Sequence, residues 1–164
     1  MLAFLYPMKK IILKTRKGTS HEVLLDDEDF ERVKNIKWHY HHGGHSDNWY
    51  AMTSGSVLMH RLIMNTPKGM EVDHINGNGL DNRRENLRIC TVGQNRMNRK
   101  ISKNNSSGFN GVYWEKAKNS WRVKIHANNR FIHVGNFVNL RKAAISYNEA
   151  AQRYFGEFAR LNHI

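Results

Sequence analysis

The stretch that most constrains the fold of this chain is residues 72–88, which read VDHINGNGLDNRRENLR. The run EVDHI, residues 71–75, predicts a short strand that carries an acid and a histidine near its end. The pair Asn76-Gly77 tolerates positive φ, so it ends that strand in a turn. After the asparagine-rich loop, LRICT at residues 87–91 predicts a second strand. Two short strands joined by a long polar loop are therefore expected.

A helix is predicted directly after the second strand. Thr91 has Gln94 three residues later, and at this spacing each side chain can satisfy a free backbone amide of the first helical turn. Residues 91–100 should therefore be helical. Before the motif, SVLMHRLIM carries apolar side chains at helical spacing, which predicts a helix that starts near Ser56 and ends before Pro67.

The N-terminal part of the chain is rich in short strand-like runs. Between them, DDEDFERVKNI predicts a short helix, because Asp26 or Asp27 can cap it and the acids that follow favour its positive end. The strands are predicted at residues 10–13, 22–25, 37–41 and 49–53.

The C-terminal part predicts a second folded unit. ISKNNSSG, residues 101–108, is small and polar and predicts a linker. Strands follow at residues 111–114, 121–127 and 130–137, the last two joined by a tight hairpin through Asn128-Asn129. A final helix is predicted between a cap at Asn139 and a stop at Gly156, with one apolar stripe against the sheet.

The charge balance indicates a polyanionic partner. Lysine and arginine number 26 against 14 acids, which gives a formal net charge of +12. The excess runs along the whole chain, and a merely solvated surface is the alternative explanation. No run approaches the roughly 20 apolar residues that a spanning helix needs, and LAFLY stops at Pro7, so no membrane attachment is expected. Met8 could serve as an alternative start.

Cysteine usage restricts the metal chemistry. Cys90 is the single cysteine, so the chain can form neither an internal disulfide nor a four-cysteine zinc site. Any metal must be bound through oxygen or nitrogen, and an intracellular setting fits this composition.

The opening motif holds candidates for hydrolysis of a phosphodiester, which needs a general base and stabilisation of the charge on the attacking and leaving oxygens. His74 can take a proton from water at neutral pH if its ring is held by an acceptor, and Asn86 offers a side-chain carbonyl for that. Asp73 points to the opposite face of the strand, where its carboxylate and the amide oxygen of Asn95 can hold a hard cation.

These residues resemble the HNH family of nucleases. The DH, N and N at 73, 74, 86 and 95, with HRLI before them and NRMN after, are similar to its homing-endonuclease branch, which also has asparagine in place of the last histidine. The resemblance implies a ββα-metal finger with His74 as general base and Asn86 as its orienter. It also implies Asp73 and Asn95 as ligands of one divalent ion, Mg²⁺ or Mn²⁺, with Asn98 as a weaker candidate.

Other histidines are interpreted more simply. His60 is expected to serve in packing or in a phosphate contact rather than as a metal ligand. The strand histidines near a Gly-Gly turn are expected to be exposed rather than to form a zinc site; they are His39, His41, His42 and His45.

The tail from Gly108 to Asn162 resembles the AP2 DNA-binding domain in GVYW, the W-x-V-x-I strand, HVGNF, KAAISYNEAAQRYFG and FARLN. Strand alternation independently predicts a basic outer face, which can lie in a major groove or merely be solvated. Trp121, Val123 and Ile125 would face the helix, leaving Arg122, Lys124 and His126 outside, and Trp114 is also expected in the core. The resemblance implies base-reading positions at Tyr113, Glu115, Lys124, His126, Phe131 and His133.

Basic residues around the proposed active site would contact phosphates, positioning DNA without specifying its sequence. They are Arg83, Arg84, Arg88, Arg96, Arg99 and Lys100.

The sequence thus predicts an α+β chain. Residues 1–100 are expected to hold the N-terminal strands and an HNH finger with its core at about 56–100. Residues 101–108 are expected to form a linker, and residues 109–164 an AP2-like domain. The predicted function is metal-dependent, site-specific cleavage of double-stranded DNA, and the resemblance implies a homing-type enzyme of phage or intron origin. It would act as a monomer or weak dimer in the cytoplasm of a bacterial host cell. A non-catalytic DNA-binding regulator, or a non-specific or RNA-directed nuclease, is the alternative.

Overall fold

The computed structural model describes residues 8–15, 18–43, 48–102 and 104–164. The chain is a mixed α/β protein built from several short antiparallel sheets and few helices, and it divides into two compact units, Met1–Asn95 and Arg96–Ile164. None of the helices in these described ranges has the length and apolar character needed to cross a bilayer.

Among its described residues, the first unit contains three two-stranded antiparallel sheets and short helices. In chain order its elements are β1 (Met8–Lys14), β2 (Ser20–Asp26), α1 (Asp27–Val33), β3 (His39–His42), β4 (Trp49–Met52), α2 (Met59–Ile63), β5 (Glu71–His74), β6 (Leu87–Cys90) and α3 (Val92–Met97), with a single 3₁₀ turn at Arg84–Asn86 before β6. The division between the units falls within α3. The four predicted N-terminal strands and the acidic helix are therefore present.

The core of the first unit forms where alternate strand residues turn inward. Val23 and Leu25 of β2 are fully buried, and Leu13 of β1 lies opposite His21 on the same face. Burial of each such aliphatic side chain stabilises the unit by roughly 1.5–3 kcal/mol. The apolar core comprises Leu13, Val23, Leu25, Val33, Trp38, Ala51, Met59, Ile63, Val72 and Leu87.

The predicted cap of α1 has a different use. Asp26 occupies the N-cap position, but its carboxylate makes no capping bond and instead accepts a hydrogen bond from the backbone amide of Arg84 at 2.8 Å. The fully buried Asp29 of α1 accepts hydrogen bonds from Arg84 Nε at 2.7 Å and Arg84 Nη2 at 2.8 Å. It also accepts one from Arg32 Nη1 at 2.7 Å. The acids of this helix therefore tie it to the 3₁₀ turn that precedes β6.

Helix α2 begins later than predicted. Ser56 has φ of 63°, a left-handed conformation that cannot start a helix, and it lies in a turn closed by a bond from the Val57 amide to Thr53 Oγ1 at 3.1 Å. The helix starts at Met59 and ends before Pro67 as expected. Local apolar spacing marked its buried face but not the turn before it.

The second unit is a three-stranded antiparallel sheet covered on one face by a helix. Its elements are β7 (Val112–Glu115), β8 (Ser120–Ala127), β9 (Arg130–Phe137) and α4 (Leu140–Phe155), with the strands in the order β7-β8-β9. Both predicted helix ends are confirmed: Asn139 Oδ1 accepts from the Lys142 amide at 3.0 Å, and Gly156 has φ of 55°. The helix buries a stripe of small and aromatic residues against Val112, Val123 and Ile125.

The two tryptophans of this sheet are less buried than expected. Trp114 remains 41% exposed, so its predicted place in the core is wrong, while Trp121 is only partly buried. Their rings meet edge to face with centroids 5.0 Å apart, as direct partners on β7 and β8. The small alanines of α4 let the helix pack closely against the middle of the sheet. The two tryptophans lie on this helix-facing side of the sheet but at its margin.

Part of the predicted linker is an ordered turn of the second unit. Asn105 Oδ1 accepts hydrogen bonds from the amides of Ser107 and Gly108, both at 2.9 Å. The buried Ser107 hydroxyl donates to the carbonyl of Val112 at 2.8 Å. A polar, small-residue composition is shared by linkers and by such turns, and only these tertiary bonds distinguish them.

Candidate active site

The two strands of the opening motif pair as predicted. In the β5–β6 hairpin, Asp73 lies opposite Arg88 and His74 opposite Leu87. The capping arrangement is also confirmed, because the Thr91 amide donates to Gln94 Oε1 at 2.8 Å and the Gln94 amide donates to Thr91 Oγ1 at 3.2 Å. Helix α3 ends at Met97, three residues before the predicted end.

The loop between these strands is held closed by Asn86. Its Oδ1 accepts from the Asn76 amide at 2.9 Å, and its Nδ2 donates to the Asp81 carbonyl at 2.8 Å. Asn76 in turn donates through Nδ2 to Asp81 Oδ2 at 2.8 Å. The sequence analysis predicted that the side-chain amide of Asn86 orients the His74 ring. In the structure both its oxygen and its nitrogen instead bond to the loop that follows His74, so these contacts hold the loop.

This loop is also docked on neighbouring strands of the first unit. The Leu24 amide donates to the Leu80 carbonyl, and the Asn82 amide donates to the Leu24 carbonyl, both at 2.9 Å. Gly79 approaches β4 so closely that a Cβ there would lie 2.4 Å from the Trp49 carbonyl oxygen. The asparagine-rich loop therefore has a fixed position against β2 and β4.

His74 is buried beneath the loop, with only 6% of its surface exposed. Its Nε2 lies 3.4 Å from Asn82 Oδ1, and a proton on Nε2 would be donated to that oxygen. Burial lowers the pKa of His74, although the hydrogen bond with Asn82 and the charges of Asp73 and Asp81 raise it in part. The imidazole is accordingly neutral at neutral pH, as a general base must be.

The role of Asn82 was not predicted from the sequence. It is fully buried, and its Nδ2 has no hydrogen-bond partner among the described residues. One signal was available, since it is one of four asparagines in the loop, but spacing alone did not distinguish it from Asn86.

His60 packs directly on the candidate base. The rings of His60 and His74 meet edge to face with centroids 4.8 Å apart, and Tyr50 lies 5.4 Å from the first and 5.8 Å from the second. Burial, followed by the charges of His74 and Arg61, lowers the pKa of His60 to about 3. The packing role expected for His60 agrees with this position.

The opposite face of β5 carries Asp73 and Glu71, because side chains two residues apart share a face. The buried Asp73 carboxylate pairs with Arg88, with Oδ2 at 2.8 Å from Nε and 2.6 Å from Nη2. Asn95 donates through Nδ2 to Glu71 Oε2 at 2.6 Å. The two predicted ligands, Asp73 and Asn95, therefore belong to the same face of the hairpin, together with Glu71, which the sequence analysis did not single out.

The donors on this face suit a hard cation. Carboxylate and amide oxygens are the groups that Mg²⁺ and Mn²⁺ prefer, and Arg88 shows that the Asp73 carboxylate accepts a cationic partner. Burial raises the pKa of Cys90 to about 11, so this neighbour on β6 is a thiol and not a metal-binding thiolate. Within the described ranges, no three histidine, cysteine, aspartate or glutamate side chains group as a ligand set.

A cleft of about 370 Å³ opens beside these residues within the first unit. It is lined by His41, Tyr50, His60, Arg61, Glu71 and Asn95, among others. His39, His41 and His42 are exposed as predicted, and His45 lies outside the described residues.

Comparison with known proteins identifies the family of this chain. The HNH endonuclease family profile matches residues 57–97. The chain is 30% identical to an uncharacterized HNH endonuclease of Acanthamoeba polyphaga mimivirus, over 93% of this chain and 80% of that protein. The chain belongs to the HNH endonuclease family. This HNH endonuclease is also 41% identical to Protein 3.8 of Escherichia phage T7, over 37% of this chain and 50% of that protein. No solved structure matches it.

Three of the arginines predicted to surround the site of this HNH endonuclease have acidic partners. Arg83 pairs with Asp81 through two bonds of 2.8 Å, Arg84 with Asp29, and Arg88 with Asp73. Their charge is compensated within the first unit, which the net charge of the chain did not reveal. Arg96, Arg99 and Lys100 are exposed and Asn98 is buried, all four in the second unit.

The outer face of the sheet in the second unit combines cations with exposed rings. Lys124 Nζ lies 4.7 Å from the centre of the Tyr113 ring and 4.8 Å from that of Phe131, which is 70% exposed. His126 meets Phe131 edge to face at 4.8 Å. Arg122 and His133 are exposed on the same face, while Glu115 accepts a bond from Asn136 at 3.2 Å. The predicted outer positions therefore share one surface of the sheet.

Proposed function

We propose that this HNH endonuclease is a metal-dependent, site-specific DNA endonuclease of the homing type. The observation that carries the proposal is the hairpin geometry, in which a buried His74 occupies one face of β5 and Asp73 shares the other face with the Asn95 contact. The β5–β6 hairpin with α3 would be the ββα-metal finger, and residues 1–100 the nuclease part.

His74 would remove a proton from the attacking water. Its depressed pKa, caused by burial, keeps the imidazole able to accept a proton at neutral pH. Asn82 would hold the ring through its 3.4 Å contact, and Asn86 would hold the loop closed above it. Asn86 would therefore position the base by fixing the loop, rather than by accepting a hydrogen bond from the His74 ring.

Asp73 and Asn95 would hold one divalent ion, Mg²⁺ or Mn²⁺. Such an ion, when bound, stabilises negative charge on the phosphate and the departing oxygen. Arg88 pairs with the Asp73 carboxylate at 2.6 Å, so this carboxylate lies where it stabilises positive charge. Asn98 is a weaker ligand candidate, and it is 9% exposed.

The second unit would bind double-stranded DNA as an AP2-like domain. A sheet can lie in a major groove, and its outer face presents Lys124, His126, Arg122 and His133 with Tyr113 and Phe131 beside them. Arg96, Arg99 and Lys100 would contact phosphates, as would Arg83, Arg84 and Arg88 wherever DNA displaces their acidic partners. Residues 101–108 would connect the nuclease part to this domain at 109–164, although the turn at residues 105–108 is already bonded to that domain.

One finger supplies one cut for each bound chain, so a monomer would nick and a weak dimer on DNA would cut both strands. The phage T7 relative supports a phage setting, in which the enzyme would work in the cytoplasm of the bacterial host.

The experiment is incubation of the full chain with supercoiled plasmids carrying fragments of its source genome, with and without Mg²⁺ or Mn²⁺. Nicking or linearisation restricted to particular fragments, and only with metal, is the expected result. Sequence-selective binding without any cut would favour a DNA-binding regulator. Equal cutting of unrelated plasmids, or a preference for RNA, would favour a non-specific or RNA-directed nuclease.

A further inference from the structure

The hydrogen bond between Asn95 and Glu71 joins the fourth residue of α3 to the first residue of β5. Asn95 Nδ2 lies 2.6 Å from Glu71 Oε2, and both side chains are partly buried in the wall of the 370 Å³ cleft. Glu71 also shares its strand face with Asp73, two residues further along. Glu71 is thus in contact with one proposed metal ligand and on the same face as the other.

The chemistry of this contact fixes which way the Asn95 amide points. An ionised carboxylate can only accept hydrogen bonds, whereas a side-chain amide can donate through nitrogen or accept through oxygen. Glu71 therefore selects the rotamer in which the nitrogen faces β5, and Oδ1 must point to the other side of the amide. A hydroxyl or another amide at position 71 could pair with either end of Asn95 and would not select one.

The two proposed ligands are held by partners of opposite charge. Arg88 approaches the Asp73 carboxylate with donors only, and Glu71 approaches the Asn95 amide with acceptors only. Glu71 thereby leaves the amide oxygen of Asn95 as the atom that can meet a cation. Charged partners of metal ligands typically change metal affinity by roughly 10- to 100-fold when they are removed.

We propose that Glu71 is a positioning residue for the metal site of this enzyme: it locks the Asn95 side chain with its amide oxygen available to a divalent ion. This inference rests on the proposed function, since it assumes that Asp73 and Asn95 hold the ion. Glu71 itself acts through Asn95 and not on the reacting phosphate.

The first test measures metal binding without DNA or activity. Mn²⁺ is titrated into the full chain, and the free ion is measured by its electron paramagnetic resonance signal. Glu71→Gln keeps the size of the side chain and lets either end of Asn95 face it, so Mn²⁺ affinity should fall about 10-fold or more. Glu71→Asp keeps the charge but shortens the reach, and it should weaken binding as well. Glu22→Gln, which removes an exposed carboxylate of β2, is the matched control and should bind Mn²⁺ like the wild type.

The second readout is the nicking rate as a function of metal concentration. The Glu71 variants should need roughly 10- to 100-fold more Mn²⁺ for half-maximal nicking, while their rate at saturating Mn²⁺ approaches that of the wild type. A purely structural defect would lower the rate at every metal concentration.

Specific outcomes overturn the inference. Wild-type Mn²⁺ affinity in Glu71→Asp, with loss only in Glu71→Gln, would show that Glu71 supplies charge and not orientation. Loss of binding in Glu71→Ala as complete as in Asp73→Ala, with Asn95→Ala unaffected, would make Glu71 a ligand in place of Asn95. If the wild type binds Mn²⁺ no more tightly than Asp73→Ala does, the proposed metal site itself is rejected. If metal-dependent nicking needs Asp73 and Asn95 but not Glu71, only the positioning role of Glu71 is rejected.

Discussion

The low pKa of His60 should make the first unit less stable at mildly acidic pH. His60 is 6% exposed, and its burial, with the charges of His74 and Arg61, lowers its pKa from 6.5 to about 3. Because the folded pKa lies below the unfolded one, the unfolded chain binds more protons as the pH falls below 6.5. The stability contributed by a neutral His60 is therefore present at pH 7 and is lost as the pH falls toward 3. Between pH 7 and pH 5 the loss is about 2 kcal/mol in the free energy of unfolding.

The assay needs a probe of the first unit alone, because the chain contains two compact units. Native-state hydrogen exchange at the amides of Val23 and Leu25, which are fully buried in β2, supplies one. His60→Phe keeps a ring against His74 but cannot be protonated, and His39→Phe at an exposed position of β3 is the matched control. The loss of stability between pH 7 and pH 5 should be about 2 kcal/mol smaller in His60→Phe than in the wild type or in His39→Phe. An equal loss in all three proteins would refute the assignment of a neutral, buried His60.

Two further predictions concern the loop and the sheet. Gly79→Ala should destabilise the first unit by roughly 1–3 kcal/mol, because the new Cβ would lie 2.4 Å from the Trp49 carbonyl oxygen and 2.5 Å from Tyr50 Cε1. Urea unfolding measures this loss, with Gly55→Ala as the control because the nearest atom to a Cβ there is 3.8 Å away. Equal stability of the two variants would contradict the docking of the loop. Lys124→Ala should weaken binding to a DNA site that the enzyme cuts by roughly 1–3 kcal/mol, as measured by gel-shift titration. Lys142→Ala, on the exposed side of α4, is the control and should leave binding unchanged. An equal effect of both substitutions would argue against the outer sheet face as the DNA surface.

Elements with a local chemical signature were predictable from the sequence. The Thr91 and Gln94 exchange, the Asn139 cap and the Gly156 stop each depend on residues within one helical turn, and all three are present. The order strand, loop, strand, helix also follows from local patterns and is observed. The HNH resemblance is supported by the family match over residues 57–97, while the role of each site residue remains a prediction.

Features that depend on tertiary contacts were not predictable. Asp26 looks like a cap in sequence, but Arg84, far along the chain, takes its carboxylate. Trp114 looks apolar enough for the core, yet its position at the edge strand leaves it exposed. Asn82 and Glu71 have no signature of their own, because each matters only through a partner that the fold brings close. The positive charge that Arg83, Arg84 and Arg88 offer to DNA was likewise overestimated, because counting charges does not reveal their ion pairs with acids.

The most direct test of the central claim is the single-turnover nicking rate of His74→Ala on a plasmid that the wild type cuts, measured with saturating Mg²⁺ or Mn²⁺ beside its affinity for the same DNA. Loss of the general base should lower the rate by about 100-fold or more while DNA binding is retained. Nicking by His74→Ala at the wild-type rate would contradict the account, because the buried His74 at the end of β5 would then not be the base.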